Sequence, residues 1–218
     1  MLKNKIKILL PCILLGLQLS AMTGDEAVSY FEAFFAQKVT VFKADIEQAT
    51  YSDLSDVSVM KGRLTLKNPD KFSIEYEEPE KQVVKCDGKV VWVYVPSMNQ
   101  AVTQEVKNVK NRDNILFGFG KFLATLRRDF SNNLNKLPGK ENLLEIESVP
   151  KAAGCDFRKV VFLVDREVWL PVKITVYYTE TSFVYVNFFN PKTNTGAADS
   201  LFEFTPPEGT TIVEAPLK

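Results

Sequence analysis

The chain has 218 residues, 45% of them hydrophobic and 25% charged, with 27 basic side chains, 27 acidic side chains and no histidine. This length and apolar content suit one large domain or two small ones and exclude an intrinsically disordered chain. A formal net charge of zero creates no field that attracts nucleic acid, so we expect no nucleic-acid partner. Because histidine is missing, the chain itself cannot form a Ser-His-Asp triad, a Cys-His dyad or an HExxH zinc site.

The first 21 residues predict a secretory signal peptide. Three lysines within the first seven residues precede the apolar run Ile8–Leu19, and the small residues Ser20 and Ala21 follow it. A membrane anchor is the alternative, but about 12 apolar residues fall short of the ~20 that a transmembrane helix needs. Cleavage after Ala21 would leave one domain, residues 22–218, with 24 basic and 27 acidic side chains and a net charge of −3.

The predicted mature chain keeps two cysteines in a compartment that permits disulfides. Cys86 and Cys155 lie 69 residues apart, each beside a turn signal. A single pair at this spacing is weak evidence for a bond. Two unpaired, half-buried thiols are therefore expected.

Two segments have the apolar spacing of amphipathic helices. Thr23 and Glu26 form a T-x-x-E capping box, which predicts the start of the first helix. Its apolar side is predicted to consist of Ala27, Tyr30, Phe31, Phe34 and Phe35. In the second segment, residues 115–130, glycines near the start predict a short turn before the helix. Its apolar positions are Phe119, Phe122, Leu123, Leu126 and Phe130.

Elsewhere the apolar residues alternate, which is typical of strands with one buried face. Residues 40–107 predict an antiparallel meander of about six strands, in which Asp87-Gly88 favours a type I′ hairpin. Four further strands are predicted at 143–149, 157–164, 172–178 and 183–188. Residues 190–199 are predicted as a loop, and residues 202–204 as a closing strand. The sequence thus predicts one large antiparallel sheet with two helical segments.

Carboxylates are the catalytic option that remains. Glu75 and Glu77 lie on the strand face opposite Phe72, where a solvated polar face explains them. The chain has no GxSxG, P-loop, GxGxxG or CxxC motif, and no EF-hand spacing. We therefore expect no enzyme activity, no catalytic residue, no metal and no cofactor.

The aromatic residues admit two interpretations. All 25 of them follow the predicted signal peptide. They either fill an ordinary core between the sheet and its helices, or line a space that holds an apolar ligand, as curled antiparallel sheets often do. Composition does not decide between these two.

Three segments carry a resemblance to a known family. Residues 62–79 follow the pattern G-x-L-x-L-x-x-P-x-x-F-x-I-x-Y-x-x-P, and residues 83–96 follow V-V-x-x-D-G-x-x-V-W-x-Y-x-P before Gln100. Residues 202–209 read F-x-F-x-P-P-x-G. In this order, over about residues 42–209, the chain resembles the periplasmic outer-membrane lipoprotein carrier proteins, the LolA family.

The resemblance implies a fold that is mainly β with α, an incomplete (unclosed) antiparallel β-barrel covered by the N-terminal helix and a mid-chain helical lid. It also implies a periplasmic carrier or chaperone that binds the acyl chains of lipoproteins in a hydrophobic cavity and shuttles them from the inner to the outer membrane. The implied partners are acylated lipoproteins, an ATP-driven release complex in the inner membrane and an outer-membrane receptor. We expect the chain to act as a monomer.

The family resemblance also suggests where the cargo binds. The residues expected to line the lipid-binding cavity or its lid are Phe72, Ile74, Tyr76, Trp92, Tyr94, Phe119, Phe122 and Leu126. A Phe72→Glu replacement is expected to cripple cargo acceptance while leaving the fold intact. One position departs from the family pattern: the residue before Pro69 is frequently basic and bonds to the lid, whereas here it is Asn68.

Two other functions stay open from the sequence. One is a LolA-like carrier or sensor of another amphiphile, such as a glycolipid. The other is an enzyme or a plain interaction domain. The sequence identifies neither the lipoprotein or lipid that is carried nor the partner proteins, and it does not show how the lid is controlled with Asn68 in place of a basic residue.

Overall fold

The computed structural model describes residues 22–52, 55–106 and 119–214, so the predicted signal peptide lies outside the described residues. Within them the chain forms three α-helices: α1 (Gly24–Lys38), α2 (Phe119–Leu123) and α3 (Leu126–Asp129). The first six strands are β1 (Val41–Ser52), β2 (Ser55–Lys67), β3 (Lys71–Glu78), β4 (Gln82–Cys86), β5 (Val90–Val95) and β6 (Gln100–Glu105). The other six are β7 (Phe130–Asn135), β8 (Leu143–Pro150), β9 (Lys159–Asp165), β10 (Pro171–Tyr177), β11 (Phe183–Thr193) and β12 (Thr211–Glu214).

The twelve described strands form one unclosed sheet in the order β12-β6-β5-β4-β3-β2-β1-β11-β10-β9-β8-β7. Every neighbouring pair is antiparallel except β12 and β6, which are parallel. The two end strands, β12 and β7, do not pair with each other. The predicted fold, an incomplete antiparallel β-barrel covered by helices, is therefore confirmed.

The six-strand meander is confirmed, but several local predictions are wrong. Asp87 pairs with Val90, so the central residues of this hairpin turn are Gly88 and Lys89; only Gly88, the first of them, has a positive φ, which is the type II′ pattern and not type I′. Strand β11 continues to Thr193, through residues predicted as loop. Residues 199–202 form a 3₁₀ turn, so residues 202–204 are not a strand. Strands β7 and β12 were not predicted.

The two faces of the sheet differ in what covers them. We call the face that carries Phe42 the inner face; strand pairing places Leu66, Phe72 and Cys86 beside Phe42 in one row across β1 to β4. All four side chains are at most 6% exposed. The next row of the inner face runs across β1 to β5 and consists of Ala44, Leu64, Ile74, Val84 and Val93. The helices pack against this inner face, and we call α1, α2 and α3 together the cover.

Helix α1 forms where its local signals predict. The Thr23 side chain accepts a hydrogen bond from the backbone N–H of Glu26, and the Glu26 carboxylate accepts one from the backbone N–H of Thr23. This capping box is confirmed. The buried stripe is narrower than predicted, because Phe31 and Phe35 are buried while Tyr30 is 58% exposed and packs on Trp169.

The mid-chain segment forms two short helices instead of one. Helix α2 ends at Leu123 and α3 begins at Leu126, and the start of the predicted segment, residues 115–118, lies outside the described residues. In the described ranges, no helix combines the length and the apolar character needed to span a membrane.

Residues 194–210 cross the outer face of the sheet, and we call them the outer strap. Asp199 forms ion pairs with Lys67 at 2.6 Å and Lys71 at 3.1 Å, and these two lysines hold the pKa of that carboxyl below its usual range. Phe202, within the strap, is only 1% exposed. The strap therefore covers the outer side of β2 and β3 and leads the chain to β12.

Candidate binding site on the inner face

Strand β3 supplies the centre of the inner wall. Phe72, Ile74 and Tyr76 alternate with polar residues along β3 and are 1%, 0% and 5% exposed. Each lies directly beside its cross-strand partners on β2 and β4, as Ile74 does beside Leu64 and Val84. This alternation is why one strand presents an apolar inner side and a polar outer side.

Phenylalanine rings from the cover occupy the space above this wall. Phe35 of α1 lies 5.0 Å from Phe119 of α2 and 5.9 Å from Phe42 of β1, measured between ring centroids. Phe31 lies 6.3 Å from Phe119 and 5.9 Å from Phe162 on β9. Most of these contacts are edge-to-face, the geometry that aromatic pairs favour. The interior is thus filled by the protein's own side chains.

The rest of the cover packs at the β7–β9 side. Phe122 contacts Phe130, Phe157 and Phe162 at centroid distances of 5.6 to 6.4 Å, and Leu126 is fully buried. The structure brings together six of the eight residues predicted from the sequence, in one apolar cluster: Phe72, Ile74, Tyr76, Phe119, Phe122 and Leu126. Their role in binding lipid remains a prediction.

Trp92 and Tyr94 are not part of this cluster. Val93 pairs with Val84 of the inner face, so its two neighbours on β5 point to the outer face. There the ring of Phe204 from the outer strap lies 5.6 Å from Trp92 and 5.4 Å from Tyr94. These two aromatic residues therefore anchor the strap, and their expected place in the cavity or its lid is corrected.

Side chains at one end of the inner face are less deeply covered. Met60, Val93 and Val184 point to the inner side and are only partly buried. In the same region the Tyr76 hydroxyl donates a hydrogen bond to Gln48 Oε1 at 2.8 Å. Burial raises the pKa of Tyr76, so the hydroxyl stays protonated and remains a donor. The inner face is apolar in its depth and gains polar groups near this end.

Asn68 binds the cover even though it is not basic. Its Nδ2 donates to the carbonyl oxygen of Phe35 at 2.9 Å and to that of Val39, both at the C-terminal end of α1. From the other side, Asn194 Nδ2 donates to the carbonyl oxygen of Lys38 at 2.7 Å. Carbonyl groups in the last turn of a helix have no hydrogen-bond donor within the helix. The side-chain amides of Asn68 and Asn194 provide the missing donors here. The end of α1 is therefore fixed to the sheet by neutral donors.

The other end of α1 is held by Asn132 of β7. Its Nδ2 donates to Asp25 Oδ1 at 2.8 Å and to the carbonyl oxygen of Leu126 at 3.0 Å, while its Oδ1 accepts from Ser148 Oγ at 2.7 Å. Gly24 lies against the same strand so closely that an added Cβ would be 2.1 Å from the Asn132 carbonyl oxygen. Asn132 thus connects α1, α3 and the β7–β8 hairpin.

Replacing Asn68 with alanine is expected to loosen α1. The change leaves two partly buried carbonyls without this donor, which costs about 1–3 kcal/mol. In hydrogen–deuterium exchange, the amides of α1 should exchange faster in Asn68→Ala than in the wild-type protein, whereas those of β2 and β3 should exchange at the wild-type rate. An Asn133→Ala variant, at an exposed position of β7, serves as the control and should leave α1 unchanged. Equal exchange of α1 in Asn68→Ala and wild type would contradict the assigned contact.

Three further features of the described ranges bear on other kinds of site: a concavity, the carboxylates and the cysteines. A depression of about 310 Å³ lies on the outer face beside the strap, lined in part by Lys43, Asp45 and Arg63. The described ranges contain no group of three Cys, Asp or Glu side chains placed to hold a metal ion. Cys86 and Cys155 are not joined to each other.

Sequence reasoning missed the polar residues that fix the cover. Asn132 and Asn194 lie in segments without a helical or strand pattern. Gln48 lies in an alternating strand, and its inward position becomes visible only when the register of that strand is known. Phe31 and Phe35 were recognised as the apolar side of a helix, but not as the rings that fill the interior.

Comparison with known proteins identifies relatives over most of the chain. The profile of the family described as outer membrane lipoprotein carrier protein LolA matches residues 37–205. An outer-membrane lipoprotein carrier protein of Serratia proteamaculans is 25% identical over 207 residues, covering 94% of this chain and 97% of the relative. The corresponding protein of Pasteurella multocida is 26% identical over 197 residues, covering 90% and 91%.

An archaeal relative and a solved structure extend the comparison. An uncharacterized protein of Methanocaldococcus jannaschii is 28% identical over 202 residues, which cover 89% of this chain. The chain spans 55% of the length of that protein. A crystal structure of an uncharacterized conserved protein from Thermus thermophilus shares the fold, with a TM-score of 0.53 at 14% identity, covering 87% of this chain and 98% of the other.

Proposed function

The chain belongs to the outer membrane lipoprotein carrier protein family, LolA, and from this premise we propose that it carries the acyl chains of lipoproteins through the periplasm, from the inner to the outer membrane. The acyl chains bind on the inner face, between the sheet and the cover. The signal peptide, residues 1–21, directs the chain to the periplasm and is removed there. The protein is a carrier and not an enzyme.

One observation carries the proposal. Among the described residues, the contacts that attach the middle of α1 to the inner face are apolar and include those of Phe31 and Phe35. Its hydrogen-bonded attachments lie at its two ends, at Asn132 and Asn68. An acyl chain offers the inner wall the same kind of contact that the two rings make. Cargo can therefore replace these rings when α1 moves away, and the described hydrogen bonds that this movement opens lie at the two ends of the helix.

The energy of acyl-chain burial is sufficient for transport. Each methylene removed from water contributes about 0.8 kcal/mol, so covering ~10–20 methylenes yields roughly 8–16 kcal/mol. This holds a lipid in water without a covalent bond. A bilayer stabilises the same chain by a similar amount, so loading needs an energy source, which in this proposal is an ATP-driven complex in the inner membrane. Transfer to an outer-membrane receptor is then nearly balanced.

The test compares an acylated lipoprotein with its unacylated form. The full chain is expressed with its signal peptide, recovered from the periplasm and examined by native mass spectrometry. We expect the protein to co-purify with an acylated lipoprotein. We also expect it to bind that lipoprotein in a pull-down, but not a variant whose acylated cysteine is replaced by serine.

Two outcomes would change the conclusion. Equal binding of the acylated and unacylated forms would show that the acyl chains are not recognised and would overturn the proposal. Co-purification of a glycolipid, with no lipoprotein bound even after loading, would favour a LolA-like carrier or sensor of another amphiphile.

A further inference from the structure

The Tyr76–Gln48 hydrogen bond crosses one strand of the sheet. Tyr76 is on β3 and Gln48 on β1, and the strand between them, β2, contributes Gly62 directly beside Tyr76. An added Cβ at Gly62 would be 2.2 Å from the Glu75 carbonyl oxygen. The backbone of β3 therefore approaches β2 too closely for a side chain at this position, and glycine places none between Tyr76 and Gln48.

This bond fixes the orientation of the Gln48 amide. The Tyr76 hydroxyl is protonated and donates to Oε1, so the carbonyl end of the amide is occupied. The Nε2 end makes no hydrogen bond within residues 22–52, 55–106 and 119–214, and the side chain is partly exposed on the inner face. Gln48 therefore presents a held, neutral donor at the less covered end of the inner wall.

The neighbours of Gln48 indicate what this donor would meet. Its cross-strand partners on the inner face are Val186 on β11 and Met60 on β2, both apolar. The rows deeper in the sheet, from Phe42 and Ala44, are apolar across β1 to β4. An amphiphile with its hydrocarbon in these rows would place its first polar atoms near Gln48. A neutral N–H matches an uncharged carbonyl oxygen better than a phosphate, for which a cationic group is preferred.

We propose that Gln48 is a specificity-determining residue that donates a hydrogen bond to the ester or amide carbonyl at the head of a bound acyl chain, with Tyr76 as the positioning residue that holds its amide. This inference rests on the proposed function, and it assigns the polar part of the ligand within the same site. The hydrocarbon supplies most of the affinity, and the carbonyl fixes how far the chain enters.

Two lipids that differ only in the carbonyl test the proposal. Dipalmitoylglycerol has two ester carbonyls, and dihexadecylglycerol is its diether counterpart without them. Binding of each is measured on the purified protein by displacement of a fluorescent fatty-chain probe. We expect the wild-type protein to prefer the diester by about fivefold, the range of one net hydrogen bond.

Three variants test whether Gln48 and Tyr76 cause the preference for the diester lipid. Gln48→Met keeps the side-chain volume and should bind the two lipids equally. Tyr76→Phe releases the Gln48 amide and should reduce the preference without abolishing it. Gln82→Met, directly opposite Tyr76 on β4, is the matched control and should keep the full preference. Thermal melts followed by circular dichroism check that each variant is folded.

The results separate this inference from the proposed function. If the wild-type protein binds both lipids equally, or if Gln48→Met retains the preference, the role of Gln48 is overturned while lipid carriage stands. If neither lipid binds and the acylated lipoprotein also fails to bind, both conclusions fall. A loss of preference in Gln82→Met equal to that in Gln48→Met would place the donor elsewhere on the inner face.

Discussion

Phe72→Glu is expected to unfold the protein at neutral pH, not merely to block cargo. The ring is 1% exposed in the row between Leu66 and Cys86, so the new carboxyl would lie in an apolar core. Loss of the buried ring costs about 3–5 kcal/mol. Keeping the buried carboxyl protonated at pH 7, against an unfolded pKa of about 4.3, adds roughly 3–4 kcal/mol. The sum is comparable to the whole stability of a typical domain.

The stability of Phe72→Glu relative to wild type should change with pH in one definite direction. Burial raises the pKa of the introduced carboxyl in the folded state, so the folded state binds the proton more tightly than the unfolded state. Relative to wild type, stability should therefore fall as pH rises above about 4.3 and level off once the folded-state pKa, about 8–9, is passed. Urea unfolding at a series of pH values measures this difference.

Two controls separate charge from shape at this strand. Phe72→Leu keeps the site apolar and should cost about 1–2 kcal/mol at every pH. Glu75→Gln, on the outer side of β3, should change stability by no more than about 0.5 kcal/mol. A folded Phe72→Glu protein with wild-type stability at pH 7 would contradict the burial of this side chain. It would also restore the sequence-based expectation that only cargo acceptance is lost.

Phe35→Ala is expected to weaken folding and to strengthen lipid binding. Its ring contacts Phe31, Phe42 and Phe119, so its removal takes away the contact shared by α1, β1 and α2. Such a change costs about 3–5 kcal/mol of stability. In the proposed mechanism the ring competes with an acyl chain. If about 1.4 kcal/mol of its packing energy keeps the cover closed, removing it raises the affinity for a fatty-chain probe about tenfold.

Tyr30→Ala is the matched control on the same helix. Tyr30 is 58% exposed and contacts Trp169 at 5.4 Å, away from the buried stripe. Its replacement should cost less than about 1 kcal/mol and leave the affinity for the probe unchanged. Chemical denaturation and probe titration measure both quantities. Reduced probe affinity in Phe35→Ala, with the protein still folded, would show that the ring belongs to the lipid site and does not compete with the lipid.

The sequence predicted the fold best in strands that have one buried face and one solvent-exposed face. Residues 63–67 and 72–76 alternate cleanly, and both form strands. Strand β5 reads as apolar throughout because both of its sides are covered, the inner one by the core and the outer one by Phe204. Periodicity therefore could not assign Trp92 and Tyr94 to a face, and only the register of β4 and β5 did so.

Two strands carry almost no local signal. Strand β7 contains three asparagines, a residue that is depleted in strands, and it is fixed by pairing with β8 and by the bonds of Asn132 to Asp25 and Ser148. Strand β12 is four exposed residues whose pairing with β6 depends on where the outer strap ends. Both strands result from distant contacts, which a single sequence does not display.

The outer strap ties together strands that lie far apart in the sheet. It begins after β11 and ends at β12, and strands β1 to β5 lie between β11 and β6 in the sheet, so the strap spans that part of the sheet. Asp199 and Phe204 fasten it along the way. A wall restrained in this manner resists widening under load. Under the proposed function, the volume available to cargo would then depend on the side chains of the inner face and on the movement of α1, and the curvature of the sheet would stay the same in the empty and loaded states.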